Sequence, residues 1–194
     1  HGTSRGLGDV YKRQHKYLMD LDKNCENLFN DLKVKWIQTN QFGIDLNHRK
    51  RFKWAYNWNE FIQSDEKSYK FNCKFININN NFDFKDVKTN KINGKLIQRG
   101  GRDEAIKLLD SFIETRSENY QREMSSPVSG EIACSRLSPH ITYGTISLKE
   151  IHRKITDKLK TVCAINKRKS LIAFKTRLAW HCHFIQKLYD LSLI

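Results

Sequence analysis

The chain has 194 residues, 39% of them hydrophobic and 29% charged, which is room for one ordinary domain or parts of two. Eleven Phe, seven Tyr and four Trp furnish a core and exclude wholesale disorder; no apolar run is long enough to cross a bilayer or to read as a signal peptide. The formal net charge of +14 is spread along the chain rather than held in one block, which suits a polyanionic partner met over a broad face.

Cys25, Cys73, Cys134, Cys163 and Cys182 are odd in number and include no C-x-x-C pair. That usage points to a reducing, cytoplasmic setting and against a disulfide framework or structural zinc.

Residues 1–14 follow neither a helical nor a strand period and resemble translated adapter sequence, so they are expected to be non-native. From residue 16 to 33, Leu18, Leu21, Cys25, Leu28, Phe29 and Leu32 recur at steps of three and four, which predicts an amphipathic helix. A short apolar stretch around Val34 to Ile37 and a turn at Asn40 to Gly43 follow. Next comes the basic run from His48 to Lys53, which leads into Trp54, Tyr56 and Trp58. Basic residues interleaved with aromatics fit a nucleic-acid contact, and equally a solvated helix whose aromatic edge is buried.

The stretch 64–98 is rich in Asn and weak in periodicity, which predicts a linker with a short strand at Lys74–Ile78. Beyond it, Gly100 and Gly101 form a turn, and Asp103 and Glu104 favour the helix start that follows. Ala105, Leu108, Leu109, Phe112 and Ile113 mark that helix, which is expected to run to about Arg116.

The heptad Cys134-Ser135-Arg136-Leu137-Ser138-Pro139-His140 packs two hydroxyls and a guanidinium around an expected helix start, with Ser138 as N-cap and Pro139 at N1. This chemistry suits a phosphate or pyrophosphate; an ordinary capped helix with a surface arginine fits the same residues. Gly144 is expected as a left-handed cap and Ser147 with Glu150 as a capping box. Ile151, Ile155 and Leu159 form the next buried stripe. After a basic loop at Lys167 to Lys169, Leu171, Phe174, Leu178, Cys182, Ile185 and Leu188 line the last helix. His181, Cys182 and His183 do not form a metal site, because consecutive helical residues point about 100° apart.

Four of these segments, in this order, resemble the photolyase/cryptochrome family. Gly100-Gly101 with Ala105 resembles its Gly-Gly-x-x-x-Ala opening, and Tyr120, Arg122 and Pro127 resemble its Tyr-x-x-x-Arg-x-x-Pro approach to the flavin. Ser135 to Pro139 with Gly144 and Ser147 resembles its Ser-Arg-Leu-Ser-Pro phosphate segment, and Leu178-Ala179-Trp180 through Phe184 resembles the helix carrying Leu-x-Trp-Arg-Glu-Phe. Trp36, Ile37 and Gln38, with Phe42-Gly43 and the basic run, resemble the end of its α/β antenna domain.

The resemblance implies a mostly α fold: the N-terminal half of a helical FAD-binding domain over 99–194, behind an interdomain linker at 64–98 and the tail of an α/β antenna domain at 15–63. It implies FAD as cofactor, with an antenna chromophore in the α/β domain, and a monomeric protein whose partner is damaged DNA. Tyr120, Cys134, Ser135, Arg136, Leu137, Ser138 and Phe174 would hold the cofactor. Arg177, Trp180 and His181 would meet the DNA lesion, Trp180 by stacking on an extruded base.

Two departures matter. Cys134 stands where the family has Thr, and Arg177 stands where its repair enzymes carry Glu. The implied activity is blue-light repair of pyrimidine lesions. A photoreceptor that repairs nothing, and a basic helical nucleic-acid-binding module without cofactor, are the alternatives.

Overall fold

The computed structural model describes residues 16–37, 42–44, 53–65 and 98–191. Residues 1–14, most of the basic run, the expected strand at 74–78, Cys73 and the Leu188 side chain lie outside them. The described residues up to Ser64 group with those from Gly100 onward as one compact unit, and Asp65–Arg99 falls in another.

The described chain is helical, with no strand among the described residues. The helices are α1 (Lys16–Asp31), α2 (Trp54–Gln63), α3 (Arg102–Glu114), α4 (Tyr120–Glu123), α5 (Gly130–Ala133), α6 (Ser138–Thr142), α7 (Leu148–Thr161) and α8 (Ile165–Leu191). A 3₁₀ turn at Arg116–Asn119 links α3 to α4. None of the described helices is long and apolar enough to cross a membrane. The region read as an α/β tail therefore contributes helices where it is described. α2 shares a core with the C-terminal helices, since Trp58 and Ile44 join Leu109, Ile151 and Leu178 in one buried cluster.

That core is built from the periodic positions of three helices. Ala105, Leu109 and Phe112 of α3 are fully buried, as are Ile151 and Ile155 of α7 and Leu171 of α8. α3 and α7 run side by side in the same direction, laced by Arg102–Glu150 (2.8 Å), Lys154–Asp110 (2.8 Å) and Lys158–Glu114 (2.6 Å). Such exposed pairs set register and add little stability each. α1 differs: Leu21, Leu28 and Leu32 share a face as the spacing predicts, yet that face is exposed. Phe29 is covered by the stacked Trp36 ring, 4.9 Å between centroids.

Caps place the ends. Ser147 accepts from the Glu150 N–H as half of the expected box, while the Glu150 carboxylate turns away to Arg102. Gly144 has φ 68°, the left-handed conformation its position requires. The expected loop at Lys167 to Lys169 is the second half of the first turn and the start of the next in α8, which begins at Ile165. Those cations cap other helices. Lys167 donates to the Glu114 carbonyl that ends α3, and Arg168 donates to the Leu159 carbonyl in the last turn of α7.

Candidate functional site

At the end of α3 the chain turns through Thr115 and brings Arg116 back over its own helix. The Arg116 guanidinium lies over the Phe112 ring, 5.8 Å from the centroid. Its Nε donates to Ser111 Oγ (3.0 Å) and its Nη2 to the Leu108 carbonyl (2.7 Å). Nη2 also reaches the Ser135 carbonyl (3.3 Å), and Nη1 donates to the Cys134 carbonyl. One side chain thus fastens the 134–135 backbone to α3. Burial and the neighbouring Arg136 pull the Arg116 pKa below its usual value.

The heptad wraps around this anchor. Arg136 takes φ 63°, a conformation that L-residues other than Asn and Asp rarely visit. The buried Ser135 Oγ accepts from the Leu137 N–H (3.4 Å), which leaves the hydroxyl proton uncommitted by that bond. Leu137 is 1% exposed and its side chain belongs to the core. Ser138 is the first residue of α6, with Leu137 in the N-cap place and no side-chain cap bond. The expected N-cap is therefore one residue off. Pro139 does fall within the first turn.

Beside the heptad stands an aromatic wall. Tyr120, at the start of α4, meets Phe174 of α8 edge to face at 5.4 Å, and Phe112 closes the group at 5.5 Å from Tyr120 and 4.6 Å from Phe174. Burial first, and then the Cys134 charge, push the Tyr120 hydroxyl up to about 12, with Arg177 opposing. Burial likewise raises the Cys134 thiol against the pull of Arg136 and Arg116. Tyr120, Cys134, Arg116, Arg136 and Arg177 accordingly share one electrostatic neighbourhood.

One turn along α8, the Arg177 guanidinium lies 5.3 Å from the centroid of Trp180. Trp180 is 41% exposed. His181 is not available beside it. It is 5% exposed and packs edge to face on Phe42 at 5.1 Å, and burial lowers its pKa to about 3. His181, expected at the DNA, thus sits on the inward face of α8.

Arg116 is the residue of this turn that sequence reading passed over. Two of its partners are backbone carbonyls 18 and 19 residues away, and no side-chain motif records such a bond. For FAD, the fit is mixed but adequate. Two guanidiniums flank the turn; among the described residues no carboxylate is bonded to Arg116, while Glu131 pairs with Arg136 at 3.8 Å. Tyr120 and Phe174, 7% and 6% exposed, are packed into the core beside the turn. No family model, curated protein or solved structure matches this chain.

Proposed function

We propose that the chain is part of a blue-light flavoprotein of the photolyase/cryptochrome type, whose helical unit binds FAD and acts on damaged DNA. The observation that carries this reading is the convergence of Arg116 and Arg136 on the Cys134–Ser135 turn beside the Tyr120–Phe174 wall. Paired guanidiniums beside a half-buried turn favour a phosphate-bearing ligand, because charge-assisted bonds strengthen as water is excluded. The aromatic wall favours one that also carries an apolar ring system.

In this reading Arg136, Ser135 and Ser138 bind and orient the pyrophosphate, with Cys134 supplying one hydroxyl fewer than the family's Thr. Tyr120 and Phe174 exclude water from it. FAD, when bound, supplies light-driven electron transfer to a pyrimidine lesion. Trp180 offers an exposed face on which an extruded base stacks, and Arg177 offers a cation to the adjoining phosphate. An antenna chromophore in an α/β domain, a monomeric state and a cytoplasmic location belong to the same proposal.

Arg177 favours a second reading. A guanidinium cannot act as the carboxylic acid that the family's repair enzymes carry at that place, which suits a cryptochrome-like photoreceptor without repair. A basic nucleic-acid module without cofactor is the third reading, supported by charge alone. A flavin absorbance band on the purified full-length protein supports the first two readings, and its absence after reconstitution rejects both. Loss of pyrimidine dimers from ultraviolet-treated DNA under blue light then selects repair; unchanged dimers select the photoreceptor.

A further inference from the structure

Arg136 is pinned from both sides. Behind it, the carbonyls of Cys134 and Ser135 are held by Arg116; ahead of it, Leu137 is sealed in the core and its N–H is bonded to Ser135 Oγ. A non-glycine residue at φ 63° persists only where its surroundings over-determine it. Here the over-determining group is the Arg116 fork, which spans Leu108, Ser111, Cys134 and Ser135 at once. Every one of those partners is a neutral oxygen, so the bonds hold the guanidinium in place without cancelling its charge.

We propose that Arg116 is the positioning residue of the phosphate-binding turn: it fixes the backbone on which Arg136 is mounted and places a second permanent positive charge behind it. This role rests on the FAD reading in that the ligand it prepares for is a pyrophosphate. Lysine cannot replace it. A single ammonium keeps the charge but lacks the planar fork that reaches acceptors on α3 and on the turn together.

The experiment uses the full chain with ADP as the pyrophosphate probe, titrated across a salt series, in the parent, Arg116→Lys and Arg116→Gln. The expected result is that both variants bind ADP about tenfold more weakly, as loss of charge-assisted or geometry-setting bonds implies. Only Arg116→Gln should show a shallower dependence of affinity on salt, since only it removes a charge. A purely structural arginine would leave that slope unchanged. Parent-like affinity in Arg116→Lys, or a parent-like salt slope in Arg116→Gln, would overturn the proposal.

A ligand-free arm separates this inference from the cofactor reading. Iodoacetamide labelling of Cys134, followed by peptide mass spectrometry, should quicken about fivefold in Arg116→Lys as the turn opens more often. An unchanged labelling rate overturns the positioning role whatever ADP does. A parent that binds no ADP while Cys134 labelling quickens rejects the pyrophosphate and upholds the clamp. Should Arg116→Gln unfold by circular dichroism, Arg116→Lys decides alone.

Discussion

Arg177 and Trp180 sit one turn apart on α8, the guanidinium 5.3 Å from the indole centroid and the indole 41% exposed. The pair presents an exposed indole next to a half-buried cation. If that face receives an extruded base, Trp180→Ala costs roughly 1–3 kcal/mol of affinity for lesion-bearing DNA. Fluorescence anisotropy with irradiated and unirradiated duplexes checks this. Equal affinity for the two duplexes in the parent would remove the premise.

Phe112 holds the aromatic wall together from below, fully buried between Tyr120 and Phe174. Phe112→Ala leaves a cavity under both rings and costs about 3–5 kcal/mol of stability. Urea denaturation followed by circular dichroism measures it. A loss near zero would mean that the wall is not packed as described.

Gly43 is required by a close approach. A Cβ there would lie 2.9 Å from the Trp58 Cα and 3.2 Å from the Asn57 carbonyl oxygen, both of them backbone atoms that cannot swing aside. Gly43→Ala is therefore expected to destabilise the α2 packing by about 1–3 kcal/mol. A thermal midpoint equal to the parent's would contradict this contact.

His181 makes stability depend on pH. Its pKa is about 3 folded against 6.5 in the unfolded chain, so between these values the unfolded state binds the extra proton. Its contribution is complete above the unfolded value and is lost as pH falls towards the folded one. The slope is about 1.4 kcal/mol per pH unit. His181→Leu should flatten the loss between about pH 6 and pH 5 by that amount. Half-buried His152, lowered to about 4 by burial and then by Lys175, adds a slope of the same sign over a narrower range that ends near pH 4.

How much of this was legible depends on whether the partner was local. The face of α8 was readable because Leu171, Phe174, Leu178, Cys182 and Ile185 repeat at helical spacing. The same spacing put His181 three residues after Leu178, on the inward side, while the family resemblance set it among the DNA contacts. The Ser147 cap was readable because it bonds three residues ahead. The Glu150 carboxylate was not, because its partner Arg102 lies 48 residues away. Lys167 and Arg168 looked like a loop because their carbonyl partners sit on other helices. Arg116 escaped for the same reason. In the heptad the residue types were readable, while the inward turn of Leu137 and the shift of the N-cap depended on packing.

The central claim is that the turn carrying Arg136 receives the pyrophosphate of FAD. The direct measurement compares equilibrium binding of FAD and riboflavin, by flavin fluorescence, to the intact parent protein and to its variant with Arg136→Ala and Ser138→Ala. The account predicts that the parent binds FAD more tightly than riboflavin. It also predicts that the double substitution weakens FAD by about tenfold or more and leaves riboflavin unchanged. Equal affinity of the parent for the two flavins, or FAD binding indifferent to the double substitution, would contradict it.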